Sequence, residues 1–117
     1  MQGKIWGKTE TMIQTPFFEA HRLTILPRSF CSWHRHERKC NAFLVLTGTI
    51  FVKINREGSG FDETILGPGD MTTVAAGLLH RFETGSEPCE AYEFYYPTPL
   101  SEDIIRNSVG GRFAHKR

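Results

Sequence analysis

The chain has 117 residues, enough for one domain around one core and too few for a second. Its 14 Lys and Arg against 13 Asp and Glu leave a net charge of +1, scattered rather than gathered on one basic face, so nucleic acid is not an expected partner. No apolar run approaches membrane-spanning length, so a membrane is not expected either.

The N-terminus carries a lysine but no apolar stretch behind it, and no signal peptide is predicted. Cys31, Cys40 and Cys89 are odd in number and lack CxxC spacing, which favours free thiols and a cytoplasmic location. Aromatics make up 12% of the chain and favour bulky inward side chains or an aromatic-lined pocket.

Strand signals dominate in chain order. EAHRLTIL (19–26) is β-branched and apolar and stops at Pro27. AFLVLTGTIFVKI (42–54) divides into two strands at Thr47-Gly48. EGSG (57–60) has hairpin character, and DETIL (62–66) runs into the turn GPGD (67–70). MTTVA (71–75), AGLLH (76–80) and RFET (81–84) follow, and EAYEFYYP (90–97) is the last long strand. PLSEDIIRNS (99–108) is the one predicted helix, with Ser101 as N-cap and Glu102 and Asp103 in its first turn. Many short strands with frequent turn chemistry predict an all-β sandwich or barrel.

His34 and His36, in SWHRHERKCN, stand two apart in a stretch that reads as strand, so their imidazoles share a face and can converge on one ion. Two solvent-facing histidines on an edge strand are the alternative. His80 follows GPGDMTTVAAGLLH, whose Gly69 and Gly77 let the chain return towards them.

With these residues the sequence resembles the cupin superfamily in two motifs. The first is a glycine, five residues, HxH, three or four residues, a glutamate, six residues and a glycine; here residues 28–48 supply His34, His36 and Gly48. The second places Gly69, Gly77 and His80 within residues 69–84. The resemblance covers about residues 18–97 and implies a double-stranded β-helix, or jelly-roll barrel, with a short C-terminal helix and tail at 99–117. It also implies a divalent metal (Fe, Mn, Zn or Ni) and a homodimer. The sequence departs from the motifs at four positions: Arg28 replaces the first glycine, Ala75 the proline, Thr84 the last asparagine and Asn41 the metal-binding glutamate.

Asn41 offers a neutral oxygen in place of a carboxylate. Three histidines alone still suit a first-row divalent ion, and such a site keeps its full +2 charge and favours an anionic small-molecule ligand. An empty site is the alternative. Glu37 and Glu83 are expected to face away from the histidines. Glu93 and Tyr95 share one face of their strand and Tyr92, Phe94 and Tyr96 the other; if the first pair is inward, Glu93 and Tyr95 are candidate catalytic groups. Cys40 reads as a small buried residue, and Trp33 as core packing. His21 and His115 read as solvent-facing, and Phe43, Val45 and Phe82 as pocket wall.

The chain ends are similar to the cupin part of type II mannose-6-phosphate isomerases. KIWGKTE (4–10) echoes an RPWG-like segment, and LSEDIIRNSVGGR (100–112) echoes a GEDDIVR…YGR-like one. This similarity implies a sugar-phosphate or sugar-nucleotide ligand, for which Arg106 and Arg112 would be phosphate contacts. Three functions follow as expectations: a metal-dependent sugar or sugar-phosphate isomerase, a non-haem iron dioxygenase, and a non-enzymatic ligand-binding module.

Overall fold

The computed structural model describes residues 2–56, 58–97, 110–112 and 114. Nine strands form two sheets: β1 (Gln2–Lys4), β2 (Gly7–Gln14), β3 (Glu19–Ile25), β4 (Lys39–Thr47), β5 (Ile50–Arg56), β6 (Gly60–Leu66), β7 (Met71–Val74), β8 (Leu79–Glu83) and β9 (Cys89–Pro97). The larger sheet has the order β1-β2-β3-β9-β4-β7, the smaller β6-β5-β8. Every pairing is antiparallel. From β4 onward the chain crosses between sheets after β4, β6, β7 and β8, which is the jelly-roll way of wrapping two sheets around one interior.

Two expectations need correction. The expected barrel is not closed: the two sheets are separate ladders, joined near β8 by isolated bridges at Phe30–Glu83 and His34–His80. The strands also begin at Gln2, well before residue 18, because the N-terminal hairpin β1–β2 extends the larger sheet along β3. The predicted helix at 99–108 lies outside the described residues.

The interior follows from period-two alternation. In β3, Leu23 and Ile25 point inward; in β9, Cys89 and Ala91; in β4, Phe43 and Val45; in β5, Ile50 and Val52. All eight are at most 2% exposed. Phe82 meets Trp6 edge-on at 4.9 Å and Phe43 at 6.0 Å between ring centroids. Phe43 and Val45 are therefore core and not pocket wall, since neither lines the cavity described below.

Two backbone positions fix the path near the site. Gly48 has φ of +80°, and a Cβ there would meet the Pro88 carbonyl oxygen at 2.1 Å, so only glycine turns β4 into β5. Arg28, where the motif has its glycine, has φ of +52°. The backbone keeps the conformation that favours glycine while the side chain has changed.

Candidate metal centre

His34 does not lie on a regular strand, contrary to expectation. Residues 31–38 form an irregular segment, and His34 is held by one reciprocal pair of bonds: its N–H to the His80 carbonyl (3.0 Å) and the His80 N–H to its own carbonyl (2.9 Å). That bridge sets the two imidazoles opposite each other, 4.4 Å apart between centroids. His36 is brought in by the next turn of chain: the N–H of Gly77 donates to the His36 carbonyl at 2.7 Å. Its ring lies 5.2 Å from that of His34 and 5.7 Å from that of His80. One ring nitrogen from each histidine lies within 4.8 Å of the others.

The ring orientations suit a cation. Nδ1 of His34 is 2.8 Å from the Ser32 carbonyl, and Nδ1 of His80 is 2.9 Å from the Leu78 carbonyl. A carbonyl can only accept, so each Nδ1 carries the proton and each Nε2 keeps its lone pair. Nε2 of His36 is buried and has no hydrogen-bond partner among the described residues. A buried, unpartnered ring nitrogen beside two other imidazoles is costly unless something binds it. Burial, with the neighbouring His34, Lys39 and His80, lowers the His36 pKa to about 4. Burial also lowers that of His80, against the opposing bond to Leu78. Both rings are thus neutral near pH 7, the form that ligates. These donors fit a divalent metal.

Asn41, 1% exposed, stands behind His80. Its Nδ2 lies 3.1 Å from Glu93 Oε2 and 3.2 Å from His80 Nε2. It is the amide nitrogen that faces this way, because both neighbours accept hydrogen bonds. Glu93 is inward and 6% exposed. Burial raises its pKa, and its bonds with Asn41 and Tyr95 offset this only in part. Tyr95 shares the face, and burial followed by the charge of Glu93 raises its phenol far above the usual range. Lys39 lies over the Tyr95 ring, 4.1 Å from its centroid.

His34, His36, Glu93 and Tyr95 line an open cavity of about 1430 Å³. Its wall also includes Trp6, Phe82, Arg28 and His21. The reading of His21 as solvent-facing is wrong. It pairs across the sheet with Glu93, bonds Glu19 and Thr11 (both 3.2 Å), and meets the Tyr95 ring edge-on at 5.3 Å. Alternation in β3 carried the signal, since His21 shares a face with Leu23 and Ile25. Trp33 is corrected too. It stacks on exposed Phe61 (5.5 Å) and under Arg81 (5.0 Å) on the outer surface. Glu83 is held away by Lys53 (3.1 Å) and Arg81 (2.7 Å), and Glu37 is exposed. Cys40 is buried but does not join the histidine group. Arg112 is exposed and does not line the cavity; Arg106 and His115 lie outside the described residues.

Residues 21–95 match the Cupin domain family model. The chain belongs to the cupin family. This cupin is 31% identical over 101 residues to the mannose-1-phosphate guanylyltransferases of Escherichia coli and Klebsiella pneumoniae. The match covers 86% of this chain and 20% of each of those proteins, so the chain spans about a fifth of the length of these curated relatives. Among solved structures, the cupin resembles the capsular polysaccharide assembling protein CapF from Staphylococcus aureus (TM-score 0.75, 17% identity, 84% of this chain and 28% of that one). It also resembles KdgF from Halomonas sp. (TM-score 0.72, 16% identity, 85% and 86%). At such identities the likeness is one of fold.

Proposed function

We propose that this cupin binds one divalent metal ion through His34, His36 and His80 and acts on a small sugar or sugar-phosphate substrate in an isomerase-type reaction. The observation that carries the metal is the unpartnered, buried Nε2 of His36 beside two rings whose protons sit on Nδ1, so that each Nε2 has a lone pair to offer, that of His80 at present shared with the Asn41 amide. The sugar class is supported by the similarity to enzymes named for mannose 1-phosphate. The metal, when bound, supplies a Lewis acid for substrate oxygens.

The chain's own residues supply proton handling. Glu93, a buried carboxyl on the cavity wall whose pKa burial raises, is placed to exchange a proton with a substrate carbon or oxygen in the cavity. Tyr95 stays protonated and fixes the carboxyl. Asn41 donates to the other side of the same group. Because Asn41 Nδ2 shares the lone pair of His80 Nε2, the amide must give up that bond when His80 takes a metal.

The test is metal content of the untagged protein, before and after reloading with Fe, Mn, Zn and Ni. About one equivalent is expected, lost in a His34→Ala/His80→Ala variant. Hydrogen exchange next to the carbonyl of a hexose phosphate, slowed about 100-fold or more by Glu93→Gln, supports the isomerase reading. Iron with oxygen consumption would move it to the dioxygenase class. No metal under any loading overturns it and leaves a binding module.

A further inference from the structure

The loop between β3 and His34 holds a contradiction between backbone and side chain. Arg28 has φ of +52°, a conformation that glycine adopts freely and L-residues avoid. Its neighbours leave no alternative. The Arg28 N–H donates to the Gly85 carbonyl at 2.7 Å. On one side Leu26 N–H bonds the Trp6 carbonyl at 2.8 Å. On the other, Ser29 and Thr84 are joined twice, Ser29 N–H to Thr84 Oγ1 (3.0 Å) and Thr84 N–H to the Ser29 carbonyl (2.9 Å). Glycine would relieve this strain, and asparagine or aspartate would tolerate it; the chain has arginine.

The side chain gains nothing structural in return. Arg28 is exposed, and its guanidinium makes no hydrogen bond, ion pair or ring contact among the described residues. It does line the cavity that His34, His36 and Glu93 share. The other charges of that wall are Lys4, Lys39, Glu19 and Glu93. Glu19 is already engaged by His21 (3.2 Å) and Lys39 (3.9 Å), and Lys39 is spread over Tyr95. Arg28 is thus a planar fork of N–H donors at a wall whose acidic groups are taken or buried. Strain persisting at a cavity wall without structural return points to function, and a guanidinium fork matches the paired oxygens of a phosphate or carboxylate.

We propose that Arg28 is the residue with which the cavity recognises an anionic group, phosphate or carboxylate, on its small ligand. The sugar-like ligand class rests on the function proposed above; the anion contact does not.

The test titrates the full chain with a hexose 6-phosphate, a hexuronate and the neutral hexose, for the natural protein, Arg28→Gly and Arg28→Lys. The natural protein should bind at least one anionic sugar about tenfold tighter than the neutral one, as a charge-assisted pair implies. Which anion is preferred identifies the group. Arg28→Gly should erase the preference without lowering Tm, because glycine suits the backbone; Arg28→Lys should keep part of it. Equal affinities or no binding in the natural protein, a preference that survives Arg28→Gly, or a Tm that falls in that variant would each overturn the proposal. Repeating the titration after metal removal separates the two readings. An Arg28-dependent preference in a protein that never takes up metal leaves this inference standing and sinks the metal enzyme. A metal-loaded protein with an Arg28-independent preference does the reverse.

Discussion

The two ends of the sandwich interior are built on the same strands and differ only in what those strands point inward. At one end β3 offers Leu23 and Ile25, β9 Cys89 and Ala91, β4 Phe43 and Val45, and β8 Phe82. At the other, the same faces continue as His21 and Glu19, Glu93 and Tyr95, Asn41, and His80. Register makes the change sharp. Leu23, Ala91 and Val45 lie level across three strands; one pair further along, His21 and Glu93 lie level with Phe43. The apolar end drives folding through burial. The polar end has buried groups that do not help folding, among them an unpartnered imidazole nitrogen and a carboxyl withdrawn from water. Such a division is what a site looks like when it interrupts a core.

The largest effect should come from the apolar end. Phe43→Ala removes a fully buried ring at the boundary of the two regions and should cost about 3–5 kcal/mol, read by urea unfolding. Under folding conditions the variant should still take up metal, because Phe43 is not in the histidine group and does not line the cavity. Loss of both together would mean that the two ends are one unit.

His36→Ala makes the opposite test. In metal-free protein it should change stability by less than about 1 kcal/mol, since the lost packing is offset by removal of an unpaired polar atom. What should disappear is the stabilisation by added metal, about 2.7 kcal/mol at a hundredfold excess over Kd in the natural protein. A large loss of metal-free stability would make the ring a structural element.

Glu93 gives the comparison a pH axis. Its folded pKa lies above its unfolded value, so the folded state keeps the proton longer. Its stabilising contribution is complete below the unfolded pKa of about 4.3 and is lost as pH rises through the folded pKa. His36, lowered to about 4, works in the other direction: stability falls as pH drops from about 6.5 towards 4. Comparing metal-free Glu93→Gln with the natural protein isolates the carboxyl. The variant should gain in relative stability as pH rises from about 4 to 8. A difference that stays flat would show the carboxyl titrating as it does in the unfolded chain.

Much of this was legible in the sequence because both ends obey one rule. Alternation placed Glu93 with Tyr95 and the motif spacing gathered His34, His36 and His80. Turn chemistry at Thr47-Gly48 and GPGD set strand boundaries to within a few residues. Legibility ends where alternation is masked by other signals or does not hold. His21 has no motif around it and so reads as solvent-facing, although it follows the β3 pattern. The HxH stretch is not a strand, so it is placed by single contacts from His80 and Gly77 that no local pattern encodes. The hairpin β1–β2 carries no strand signal of its own because the residues TETMIQ are mostly exposed, and it is held by its partner β3. The value of φ at Arg28 is likewise set by tertiary contacts.

Trp33 marks the outer limit of the comparison. It directly precedes His34 in sequence yet belongs to neither interior end, because in this irregular segment it turns out to Phe61 and Arg81. Phe61 is 64% exposed, so the stack excludes little water from either ring. An exposed aromatic pair and a guanidinium contact are each worth about 0.5–1 kcal/mol. Trp33→Ala should therefore lower stability by about 1 kcal/mol and leave metal uptake and the Arg28-dependent anion preference unchanged. If metal uptake falls as it does in His36→Ala, then the outer stack is what holds the 31–38 segment in place, and the division between the site and its surroundings runs through Trp33 rather than inside it.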